Sequence, residues 1–182
     1  MTNVSDDAPE LAQTRAWLER AVIGLNLCPF AKAVHLKAQI RWVLCPATSA
    51  KSLATVLTRE LLHLADVDPQ TTDTSLLVHP YALQDFADYN EFLDVADELL
   101  ESLGLDGVLQ IASFHPQYQF EGSAAHDMAN FTNRSPYPML HLLREDSVER
   151  AVAAFPDPEA IFARNIHSLQ NLGPVGWRKL FE

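Results

Sequence analysis

The sequence predicts an α/β fold: a mixed sheet of about four strands in the order βαβαββα, with further helices at both ends. Three observations carry that expectation. Segments with apolar residues at helical spacing alternate with short apolar runs of strand length. The connections between most of these segments are short. Hydrophobic residues make up 48% of the chain and charged residues 20%, which is the balance of a globular core. The same element order occurs in a thioredoxin-like domain, a likeness of topology rather than of motif.

A first helix is expected from Pro9 to about Gly24, with Leu11, Leu18, Val22 and Leu25 as its buried stripe. Leu27-Cys28-Pro29-Phe30 breaks it and opens a short second helix with Pro29 at the first position. Residues 39–45 read as a strand with Ile40, Trp42 and Leu44 on one face. Thr48 or Ser49 caps the next helix, whose Leu53, Leu57, Leu61 and Leu64 recur every three or four residues. A strand over 74–79 ends at Pro80. Asp85 then caps a strongly periodic helix that Gly104 closes. Residues 107–114 read as a central strand, since Val108, Leu109, Ile111 and Ala112 suit burial on both faces. After a long polar loop, residues 139–144 form a fourth strand. Asp146 and Glu149 suggest a capping box, and Asp157-Pro158 starts a last helix closed by Gly173-Pro174. The domain expected is a single one over 9–182, preceded by a flexible polar stretch over 1–8.

Composition excludes several functions. A net charge of -11 disfavours binding to duplex nucleic acid or to an anionic membrane, because both need basic faces. No apolar run has the length of a membrane span, and no signal peptide is evident. Cys28 and Cys45 are too few for a disulfide scaffold, so a cytoplasmic location is expected.

The chemistry concentrates in the loop and flanks from Ser113 to Arg144. It holds His115, His126 and His141, and its Glu121 and Asp127 balance Arg134 and Arg144 within an acidic chain. Long loops that leave strand ends carry binding and catalytic groups more often than others. If residues 123–131 form a helical turn or two, Asp127 and Asn130 share a face, and Arg134 joins them. Arg134 beside Asn130 and Asn133 suits a carboxylate or phosphate, because guanidinium donates two parallel hydrogen bonds. His115 and His141 would move protons, with Asp127 orienting one of them. The structural alternatives are an Asp127–Arg134 pair, asparagines that cap or turn the chain, a core His141 and a surface His126. A metal site from His115, Asp127 and His141 is the weaker reading, since neither HExxH nor CxxC is present, and neither Walker nor GxGxxG spacing supports a nucleotide loop. No cofactor is indicated.

Two further positions stand out. Cys28 precedes Pro29, where a helix dipole would favour a thiolate; buried packing is the favoured reading, because free cysteine is among the most buried residues. Cys45-Pro46 offers a single sulfur and weak support for redox work. Asn165, with Arg164 beside it, falls inside the apolar stripe of the last helix (Ile161, Phe162, Ile166, Leu169, Leu172). It either ties that helix to a loop backbone or lines the pocket.

The chain resembles a bacterial family catalogued as a domain of unknown function, number 1415. The segments that carry the resemblance are Gly24-Leu25-Asn26-Leu27-Cys28-Pro29-Phe30, Ser113-Phe114-His115-Pro116 through Asn133-Arg134-Ser135-Pro136-Tyr137-Pro138 to Leu140-His141-Leu142-Leu143-Arg144-Glu145, and Arg164-Asn165. The resemblance implies a bacterial cytosolic protein and brings no activity, catalytic residue or cofactor. The leading functional expectation is a hydrolase or transferase acting on an anionic small molecule. The alternatives are a noncatalytic ligand-binding or regulatory module using the same pocket, and a thiol-dependent protein built on Cys28.

Overall fold

A computed structural model describes residues 8–154, 157 and 159–182; the expected flexible tail, save Ala8, and Pro158 lie outside them. The chain starts with α1, Pro9–Trp17, which continues as a π-helical segment over Leu18–Ile23. It proceeds through α2 Pro29–Leu36, β1 Ile40–Leu44, α3 Ala50–Asp66, β2 Thr74–Val78, α4 Phe86–Ser102 and β3 Leu109–Phe114. A 3-10 turn at Met128–Thr132, β4 Met139–Arg144, α5 Glu145–Ala153 and α6 Glu159–Lys179 complete it. Local signals set most of these boundaries. Pro29 starts α2, Ser49 and Ser52 form a reciprocal cap on α3, and Asp85 accepts the N–H groups of Ala87 and Asp88 at the start of α4.

The four strands form one sheet in the order β1-β2-β4-β3. β1 and β2 are parallel, and β4 runs antiparallel to both β2 and β3. The sheet is therefore mixed, and the likeness to a thioredoxin-like domain rests on element order alone. Side chains alternate between two apolar layers. Leu77, Leu140, Leu142 and Leu109 pack with α3 and α4 on one face. Leu76, Val78 and Met139 pack with α1 and the π-helical segment on the other, as do the expected trio Ile40, Trp42 and Leu44. A third cluster, around Leu169 of α6, joins Leu27 to Met128 of the 3-10 turn.

Two sequence expectations need correction. β3 is an edge strand, not a central one; β2 and β4 hold the centre. An apolar run reads as buried on both faces, but here Val108 is 47% exposed and only Leu109 of β3 is fully buried. The capping box at Asp146 and Glu149 does not form, because α5 begins directly out of β4 and places no side-chain cap at its start. The expected stop at Gly173-Pro174 is present within the α6 span: Gly173 takes φ 65° and ψ 175°, which ends the long helix, and a separate short helical segment then carries Trp177. Proline disfavours a helical conformation in the residue before it, and glycine alone accepts this φ without cost.

Candidate functional site

The β3–β4 connection over 115–138 joins antiparallel neighbours, for which a tight turn would suffice, so topology does not require its length. Its order comes from side chains bonded to backbone. Asn130 is fully buried and acts as a hub: its Oδ1 accepts from Phe120 N at 2.9 Å and from Ser123 Oγ at 2.8 Å, while Nδ2 donates to Ala124 O. Asp127 caps the 3-10 turn by accepting from Ala129 N. Asn133 donates to Ser113 O, pinning the end of the loop to β3. Arg134 does not pair with Asp127; it donates to the carbonyls of Tyr118 at 3.2 Å and Ala125 at 2.6 Å, with its guanidinium 4.4 Å from the Phe131 ring centre.

The two histidines expected to work together are not brought together. His115 is fully buried against Phe86 and Tyr89 of α4. Its Nδ1 accepts from Gln117 N at 3.0 Å, so the ring is the Nε2–H tautomer and that nitrogen donates to Leu83 O at 3.2 Å. Burial lowers its pKa, and a second proton would break the bond to Gln117. His141 lies on the opposite face of the sheet, against Phe114. Its Nε2 meets Thr74 Oγ1 at 2.7 Å; because Thr74 donates to Leu142 O, His141 is the donor in that pair. Burial pulls its pKa down to about 4, so the ring is neutral near pH 7.

Cys28 shares a cavity of about 40 Å³ with His141 and Thr74. It occupies the N-cap of α2 without a capping hydrogen bond. Burial pushes its thiol up, outweighing the nearby N–H groups of Ala31 and Phe30. The structure thus places Cys28 where the sequence puts it and gives it the opposite of a thiolate environment. Asn165 Nδ2 donates to Leu27 O at 2.7 Å and Arg164 to Asn26 O at 3.3 Å, so both clamp α6 onto the segment before α2. Of the two readings for Asn165, the tether is the one observed. The stripe expected around it is displaced, since Phe162 is 57% exposed.

One candidate does face open space together with residues the sequence did not single out. Arg134 lines a cleft of about 700 Å³ between α1, the loop and the end of α6. Its neighbours there include Arg20, Gln13, Trp17, Phe131, Trp177 and Phe181. Phe131, Trp177 and Phe181 form an edge-to-face ladder with centroids 5.1 and 5.6 Å apart. Trp17 is fixed by donation from Nε1 to Arg134 O at 2.9 Å. Arg20 Nη1 donates to Leu180 O at 2.9 Å and holds the C-terminal segment in place. Among the described residues lining the cleft none is Asp or Glu.

The same segments that build this geometry belong to a family match that spans nearly the whole chain, over residues 10–179. The chain belongs to the family Protein of unknown function (DUF1415). No curated protein and no solved structure matches it. In this DUF1415 chain no group of three or more His, Cys, Asp or Glu among the described residues is arranged to hold a metal ion. Among the same residues no helix is long and apolar enough to cross a membrane. Arg20, Trp17, Trp177 and Phe181 were missed because they lie at the two ends of the chain and share no motif. The one available signal was scarcity: the chain has three tryptophans, and two of them line the cleft.

Proposed function

We propose that this protein is a noncatalytic binding module for a small organic anion with a flat apolar body, seated in the cleft beside Arg134. The observation that carries this reading is a pair of guanidinium groups, Arg20 and Arg134, with four aromatic rings around one cleft, in a chain of net charge -11. Arginines that serve only solubility or surface pairing do not need an aromatic cleft free of carboxylates among its described lining residues. Arg134 Nη1 has no partner among the described residues, and Arg20 keeps its Nε and Nη2. Those donors suit a carboxylate or phosphate, and the aromatic wall suits a ring. Binding is favoured over turnover because His115, Asp127, Asn130 and Asn133 are committed to backbone groups, while His141 lies in a different cavity. We place this activity in the bacterial cytoplasm, where two free thiols such as Cys28 and Cys45 persist.

The test is titration of aryl carboxylates and aryl phosphates, read by tryptophan emission and calorimetry. At least one should bind, and Arg20→Ala should weaken it about tenfold or more, as expected for a lost charge-assisted pair of about 1.5–3 kcal/mol. Arg20 bonds to Leu180 O and not to the loop, so its removal leaves the loop intact, and unchanged tryptophan emission of the free variant checks that the C-terminal segment stays in place. Affinity untouched by both Arg20→Ala and Arg134→Ala would remove the cleft from consideration. Turnover of a bound ester or phosphate that disappears in His115→Ala would restore the enzymatic reading.

A further inference from the structure

A second cavity of about 550 Å³ lies between α2, the turn at Pro69 and Gln70, and α5, and it shares no lining residue with the aromatic cleft. Three polar residues that line it are buried: Gln39 is 7% exposed, Asp73 9% and Ser147 3%. Ser147 Oγ donates to Asp73 Oδ1 at 2.6 Å, and Arg150 Nη2 donates to Ser147 Oγ at 2.7 Å. Arg144 Nε stands 3.9 Å from the same Asp73 oxygen. Gln39 Nε2 donates to the carbonyls of Pro69 and Gln70. These bonds leave Asp73 Oδ2 and Gln39 Oε1 without a donor among the described residues. Lys37 and Arg150 are exposed cations that also line the cavity, and Phe30, Val34, Pro69 and Ala151 add apolar surface.

Both oxygens belong to residues that line the cavity and keep solvent contact, so a ligand seated there can reach them in place of water. A clasp between α5 and the start of β2 accounts for the Ser147–Asp73 bond and leaves the two remaining oxygens free to accept from a ligand. A simple anion would find Lys37 and Arg150, yet it would sit beside the Asp73 carboxylate. A ligand bearing both an ammonium and a carboxylate meets both halves of the cavity, since an ammonium is all donor and a carboxylate all acceptor. We propose that this cavity binds an α-amino acid with an apolar side chain. Asp73 and Gln39 take its ammonium, Lys37 and Arg150 take its carboxylate, and the side chain rests against Phe30 and Val34.

Calorimetry on the full chain with L-leucine, L-methionine and L-phenylalanine tests this. At least one should bind with a Kd of about 1 mM or tighter. Its N-acetyl derivative, which lacks the ammonium, and its amide, which lacks the carboxylate, should each bind about tenfold more weakly. Arg150→Ala and Lys37→Ala should each weaken the free amino acid severalfold, and Asp73→Asn about tenfold. Should Asp73→Asn fail to fold, the N-acetyl comparison probes the same contact from the ligand side. No binding by any of the three, or equal binding of the N-acetyl form, overturns the proposal. So does an affinity unchanged in both Arg150→Ala and Lys37→Ala. Arg20→Ala should leave amino-acid affinity unchanged; a loss there would assign the ligand to the aromatic cleft and overturn this site while leaving the other standing.

Discussion

Single polar side chains hold the long loop. Asn130 satisfies three groups at once from a fully buried position, so its removal leaves Phe120 N and Ala124 O without their partner. Asn130→Ala should cost about 2–4 kcal/mol, to be measured by urea unfolding, because unsatisfied buried groups cost about 1–3 kcal/mol each. His79 gives a second prediction at this scale. Its ring is fully buried, Nδ1 donates to Ala82 O at 3.0 Å, and Nε2 has no partner among the described residues. A charged ring there would be a desolvated cation with an unmatched donor, so burial pulls the pKa down to about 4 from 6.5. The unfolded chain then binds the proton more readily than the folded one. Stability from this group is complete above pH 6.5 and is lost as pH falls through about 4, by up to about 1.4 kcal/mol per pH unit. His141 behaves in the same way for the same reason. Unfolding measured across this range should show the combined slope, and His79→Gln should lower it by its own share, up to about 1.4 kcal/mol per pH unit. Cys28 follows the buried-packing reading of the sequence. Its alkylation midpoint should lie above that of free cysteine, about 8.5, since burial outweighs the helix start.

Between elements, the decisive ties are few and specific. Tyr89 of α4 accepts from Phe114 N at 3.0 Å and donates to Met139 O at 2.8 Å, bridging the end of β3 to the start of β4 where the loop departs. Gly173 sets the direction of the segment that brings Trp177 to the cleft. A Cβ there would meet nothing within 4 Å, so Gly173→Ala carries only the backbone cost of a conformation that is essentially reserved for glycine, about 1–3 kcal/mol. If the segment relieves that strain by turning, Trp177 leaves Phe131. The expected outcome is a small loss of thermal stability with a shift in tryptophan emission, and an unchanged spectrum would show that Gly173 does not set the position of Trp177. The helices and the ends set by Ser49, Asp85 and Gly104 were legible in sequence because each depends on neighbours a few residues away; the start of α5 was not, because it follows directly from β4. The edge position of β3 was not legible, because strand order depends on which surfaces α3 and α4 cover.

At the scale of the whole molecule, the cleft exists because α1 and the end of α6 meet over the loop. Arg20 reaching Leu180 O and Tyr137 reaching Gln13 are the long-range contacts that close it. Ligand binding there should therefore quench tryptophan emission, and Trp177→Phe should lose at least half of that signal while retaining the fold.

The sequence by itself determined the α/β class, the element order, the family and the region where unusual side chains gather. Those follow from periodicity, local capping and motif, all of which act over short spans of chain. Only the tertiary structure decided what those side chains do. It turned His115, Asn130 and Asn133 inward onto backbone groups and put His141 on the far face of the sheet. It left Arg134 open beside Arg20 and two tryptophans from opposite ends of the chain. A buried polar group must find a partner somewhere, and whether that partner is backbone or ligand depends on packing that no local spacing encodes.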